Sequence, residues 1–104
     1  MFQIQHGDVL IKKVNKLPEN CLRRERRGGR VIVAAGETTG HAHTILDKGC
    51  VLWELKGELY LEATDPVTIT HEEHRPLAIP PGIYQIGTVK EYDYFADMER
   101  NVVD

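Results

Sequence analysis

Cys50-Val51-Leu52-Trp53-Glu54-Leu55-Lys56-Gly57-Glu58-Leu59-Tyr60-Leu61-Glu62-Ala63 decides the fold class. Two runs rich in apolar and aromatic side chains flank Lys56-Gly57, a two-residue connection in which glycine is free to take positive φ, and this predicts a tight hairpin. Leu55, Leu59 and Leu61 alternate with Glu54, Glu58 and Glu62. That period of two puts one face in a core and the other in water. Trp53 shares parity with Val51 and Leu55 and is expected in the core.

Working outward, turn-forming Gly and Pro recur roughly every 8–12 residues, the punctuation of many short strands. Strands are expected at Asp8–Val14, Arg30–Ala35, His41–Leu46, Cys50–Leu55, Glu58–Ala63, Pro66–His71 and Ile83–Lys90. The predicted fold is all-β: a small single-domain β-barrel or sandwich over residues 1–104, with a basic loop at 18–30 and an acidic tail at 90–104. The one helical candidate is Tyr94–Val103. Hydrophobic residues are 41% and charged residues 28%, near the average for globular chains. No run approaches the roughly 18–20 apolar residues of a membrane span, and Met1–Gln5 is too short for a signal-peptide apolar region. Cys21 and Cys50 form neither a CxxC pair nor a disulfide framework, so free thiols and a cytoplasmic location are expected.

Four of the five histidines fall into two groups, His41-Ala42-His43 and His71-Glu72-Glu73-His74. In a strand, residues i and i+2 share a face, so His41 and His43 can aim two imidazoles at one point. His71 and His74 converge on a turn, for which Pro76 argues. Imidazole is the commonest ligand for transition metals, so His41, His43, His71 and His74 are the candidate ligands of a divalent ion, whether Zn, Fe, Ni or Mn. Glu72, Glu73 and Asp47 are candidate ligands or bases. His6 lacks a neighbouring histidine and is expected to be a turn residue.

The net charge of −3 conceals two opposed patches. Lys12–Arg30 carries a net +6, whereas Lys90–Asp104 carries −3. Arg23, Arg24, Arg26, Arg27 and Arg30 could grip phosphate through bidentate guanidinium bonds. No aromatic residue interleaves the run, which disfavours nucleic acid as the partner.

Gly36-Glu37-Thr38-Thr39-Gly40-His41-Ala42-His43-Thr44-Ile45-Leu46-Asp47 resembles the first cupin motif, and Pro80-Pro81-Gly82 resembles the PxG of the second. The resemblance implies a small β-barrel holding a divalent metal through three histidines and a glutamate. The chain departs from it in three places. Asp47 replaces Glu, the Gly36 to His41 spacing is one residue short, and Gln85 stands where the second motif has its histidine. A longer match, through His6-Gly7-Asp8-Val9-Leu10, Gly40-His41-Ala42-His43, His71-Glu72-Glu73-His74-Arg75-Pro76, Pro81-Gly82-Ile83-Tyr84 and Glu91-Tyr92, is similar to a family of small uncharacterised bacterial and phage proteins with GHxH and HEEHxP motifs. It implies no activity, but it places both histidine groups in one motif set.

Three readings follow. The first is a metal-binding β-domain with an unidentified small-molecule substrate. The second is a non-enzymatic module gripping phosphate or nucleic acid through the arginine loop. The third is a homo-oligomer in which the basic loop of one copy meets the acidic tail of another. The phosphate loop GxxxxGK[ST] and the dinucleotide GxGxxG are missing, and the chain contains no serine, which removes Ser-His-Asp chemistry.

Overall fold

The structure is a computed structural model that describes residues 3–35 and 42–88. Among the described residues ten strands follow one another: β1 (Gln3–His6), β2 (Val9–Val14), β3 (Leu22–Arg24), β4 (Val31–Ala35), β5 (Ala42–Ile45), β6 (Cys50–Leu55), β7 (Glu58–Ala63), β8 (Val67–His71), β9 (His74–Ile79) and β10 (Gly82–Thr88). They form a six-stranded sheet, β1-β2-β10-β7-β6-β3, and a four-stranded sheet, β4-β5-β8-β9. The pairings are antiparallel. Among the described residues the sheets do not close on themselves, so of barrel and sandwich the fold is sandwich-like.

The core is the aliphatic stripe between the sheets. Val9, Ile11, Leu52, Leu61, Tyr84 and Ile86 enter from one side and Val31, Val33, Ile45, Val67, Ile69 and Ile79 from the other. Each such side chain contributes about 1.5–3 kcal/mol on burial. Tyr84, the largest fully buried side chain among the described residues, donates its hydroxyl to the Pro80 carbonyl at 2.6 Å, so the phenol enters the core without an orphaned polar atom.

The β6–β7 hairpin forms with Lys56 and Gly57 at φ 50° and 83°. Positive φ at both central positions is the type I′ pattern, which matches the strand twist. Lys56 pays for a left-handed backbone that asparagine tolerates better. Lys56→Asn is therefore expected to raise stability by about 0.5 kcal/mol, read as a higher urea midpoint at unchanged m-value.

The parity expected for β6 is reversed. Cys50 and Leu52 face the core, while Trp53 is half-buried on the outer face, where its indole N–H donates to Glu62 Oε1 at 3.1 Å. The indole needs a partner, and a glutamate on the wet face supplies one. The basic loop also contains structure: β3 adds to β6 as an edge strand, and Arg27 and Arg30 exchange backbone hydrogen bonds across Gly28-Gly29. The predicted turn at 72–75 shrinks to Glu72-Glu73, and β9 continues through Pro76, which is tolerated because β9 is an edge. Tyr94–Val103 and the acidic tail lie outside the described residues.

Candidate metal centre

Three strands carry their core-facing parity one step past the last aliphatic residue and end it in histidine. Ile4 is followed by His6 in β1, Ile45 is preceded by His43 in β5, and Ile69 is followed by His71 in β8. The antiparallel pairing of β5 with β8 puts His43 and His71 at the same end of the sheet. His74 opposes His71 across the β8–β9 hairpin. Four imidazoles thus close one end of the sandwich. Ring centroids are 4.4 Å apart for His43 and His71, 4.7 Å for His71 and His74, 5.0 Å for His6 and His43, and 5.9 Å for His43 and His74.

The hydrogen bonds fix which nitrogen carries which proton. His6 Nε2 lies 2.8 Å from the Arg75 carbonyl, an obligate acceptor, so it must be the N–H of that ring. In neutral His6, Nδ1 then carries a lone pair. It lies 2.9 Å from His43 Nδ1, which must donate. Neutral His43 is left with its lone pair on Nε2, and that atom faces Asp8 Oδ1 at 3.1 Å. Two acceptors pointed at one another call for a cation between them, either a proton or a metal ion.

Burial favours the neutral rings. His6 and His43 are only 4% and 2% exposed. Desolvation pushes the pKa of each below the ordinary value of 6.5; the charge of His71 adds to this at His43, and the Asp8 carboxylate opposes it. The consequence for stability has a definite sign. Well above pH 6.5 both rings are neutral folded and unfolded, and they add no pH dependence. As pH falls through 6.5 the unfolded chain takes up protons that the folded chain refuses, so stability drops until the lowered folded values are reached. Urea midpoints at pH 7.5 and 5.5 check this, with the lower midpoint expected at pH 5.5.

Gly7 makes the convergence sterically feasible. It sits at φ +63°, first of the two residues joining β1 to β2, where a type II′ turn takes glycine. A Cβ built there would lie 2.5 Å from His74 Nε2 and 3.0 Å from His43 Cε1. The missing side chain is the space that the rings occupy.

Of the predicted ligands, His43, His71 and His74 are brought together, and His41 lies outside the described residues. His6 is the chief correction: not a turn residue, it ends β1 and orients His43. Asp8 was not anticipated, although a histidine and an aspartate flanking one glycine in a tight turn was the available signal. Glu72 accepts the Ala42 N–H at 2.9 Å, tying the β8–β9 turn to the start of β5. Glu73 donates its backbone N–H to His71 Nδ1 at 3.0 Å, so neutral His71 carries its proton on Nε2 and needs a tautomer switch to ligate through that atom. Asp47 lies beyond the end of β5 and accepts the Thr68 N–H at the start of β8, the end of that strand opposite His71. Among the described residues, no three His, Cys, Asp or Glu side chains stand already arranged to hold a metal ion.

The arginines divide. Arg26 is a staple whose guanidinium donates to the carbonyls of Gly29, Asp47 and Cys50. Arg24 pairs with Glu54 at 2.7 Å. Arg23, Arg27 and Arg30 are exposed. Cys21 and Cys50 are free thiols, and burial pushes Cys50 towards its protonated form. No helix among the described residues is long and apolar enough to cross a membrane.

Comparison with curated proteins and comparison with solved structures each gave no match. A family profile matches residues 5–88, a span that opens one residue before His6 and closes with the last residue of β10, and the chain therefore belongs to the family described as a domain of unknown function, DUF8820.

Proposed function

We propose that this domain binds one divalent transition metal ion at the histidine end of the sandwich, with His43 Nε2 and Asp8 Oδ1 as the primary ligands and His74 beside them. The observation that carries this reading is the 3.1 Å approach of a lone-pair nitrogen to a carboxylate oxygen. One ion bound about 2.0–2.1 Å from each atom spans that gap. His6 supports it from behind: a ligating imidazole commonly donates its other N–H to a fixed acceptor, which sets its tautomer. His41, two residues before His43, and His71, after a tautomer switch, are the further candidate ligands. Imidazole and carboxylate together suit Zn, Fe, Ni or Mn. The Asp8 side chain is 51% exposed and His74 is exposed, so the ion would face solvent. An ion so placed can polarise a substrate oxygen or activate water.

The test is metal analysis of untagged protein after loading with Zn²⁺, Ni²⁺, Mn²⁺ or anaerobic Fe²⁺, combined with melting curves. The expected result is near one equivalent of one ion. At 100 times its dissociation constant that ion stabilises by about 2.7 kcal/mol. Substoichiometric metal, with a melting temperature indifferent to both metal and chelator, would overturn the reading. The same contact is equally satisfied by an imidazolium–carboxylate pair. In that second reading the domain holds a proton and no ion, and an Nε2–H resonance of His43 would be observed in metal-free protein once the pH has fallen below the lowered His43 pKa.

A further inference from the structure

The sandwich is open where β3 and β6 of one sheet meet β4 of the other. Two adjoining cavities of about 230 and 250 Å³ lie there, sharing Arg24, Glu25 and Leu52. The larger has an apolar floor of Ile32, Val33, Leu52 and Leu59. Its rim carries Arg24, Arg27 and Glu25. Val33 and Leu52 are 1% and 3% exposed, so the floor is the edge of the core itself.

The basic rim is held in place by the fold. The Arg27–Arg30 backbone exchange at 2.9 and 3.0 Å closes a turn with Gly28 and Gly29 at φ 58° and 78°. The Arg26 staple then fastens that turn to the carbonyls of Asp47 and Cys50. Arg24 spends one N–H on Glu54, and a guanidinium has four more to offer.

We infer that this cleft is a binding site for a small amphipathic monocarboxylate, with the carboxylate on Arg27 and Arg24 and a short hydrocarbon chain over Ile32, Val33, Leu52 and Leu59. Three features select that class. An apolar floor below a guanidinium rim matches a molecule that is apolar at one end and anionic at the other. Glu25 on the same rim opposes a second negative charge, which disfavours a phosphate dianion. Each cavity falls below the roughly 300 Å³ at which drug-sized sites begin, so the chain must be short. This site lies away from the histidine end and does not depend on metal binding.

The experiment titrates the 104-residue chain with octanoate, with octanol and with inorganic phosphate, following backbone amide shifts. The expected result is saturable octanoate binding with shifts at Ile32, Val33, Leu52 and Leu59, octanol at least tenfold weaker, and no response at these residues to phosphate. Arg27→Glu should weaken octanoate at least tenfold, and Leu59→Trp should block it by filling the cavity. Absence of saturable octanoate shifts in the wild type, equal binding of octanol, or indifference to Arg27→Glu in a folded variant would each overturn the proposal.

Discussion

Replacing His43 by alanine should abolish metal retention and lower the melting temperature by roughly 12–24 °C. The ring is 2% exposed and is the link between His6 and Asp8. Its removal leaves a void at the end of the core and strips His6 Nδ1 of its donor, and the two losses together cost about 3 kcal/mol. For a domain of this size each kcal/mol moves the midpoint by about 4–8 °C. Loss of binding and loss of stability must be separated, and His6→Asn does so. That variant leaves His43 and Asp8 in place but removes the ring that fixes the His43 tautomer, so affinity should fall about 10–100-fold. Calorimetric titration of both variants with Zn²⁺ checks the pair. A His43→Ala protein that still holds one equivalent would place the ion elsewhere.

The strands that bury side chains on an alternating pattern were legible without coordinates. Cys50–Leu55 and Glu58–Ala63 form the expected strands with the expected turn, because Lys56-Gly57 and, within β7, the alternation of Leu59 and Leu61 with Glu58 and Glu62 are local signals that tertiary packing does not override. The missed strands share one cause. In β1 the only apolar residue is Ile4, β3 is exposed throughout, and β9 contains Pro76. All three are edges, and an edge strand owes its existence to one neighbour's hydrogen bonds rather than to its own burial. The reversed parity of β6 is a different failure. Cys50 and Leu52 on one face and Val51, Trp53 and Leu55 on the other are both apolar series, so period alone could not choose between them.

The candidate site was half legible for a comparable reason. His43, His71 and His74 stood out through short-range repetition. His6 and Asp8 are 37 and 35 residues from His43 in the chain, and only the β1–β2 turn and the sheet packing bring them to it. The useful local clue was Gly7, flanked by both, since a glycine between two chemistry-bearing residues marks a place where other atoms must come close.

Gly7→Ala should therefore disable the metal centre while leaving the sandwich folded. The substitution costs about 1–2 kcal/mol for a left-handed backbone, because the native φ is +63°. It also drives a Cβ to 2.5 Å from His74 Nε2 and 3.0 Å from His43 Cε1. His74 is exposed at a hairpin end and can swing away, whereas His43 is buried and cannot. The relief is thus taken by His74, one of the proposed ligand side chains, and metal affinity should drop at least tenfold. Gly57→Ala supplies the control. Gly57 has a comparable φ of +83°, and a Cβ there meets nothing within 4 Å, so it bears the backbone strain without touching the rings. Gly57→Ala should lose about 1–2 kcal/mol in urea unfolding and keep wild-type affinity, while Gly7→Ala should lose at least as much stability and the affinity as well. Equal affinities in the two variants would mean that the ion does not engage the rings packed against Gly7.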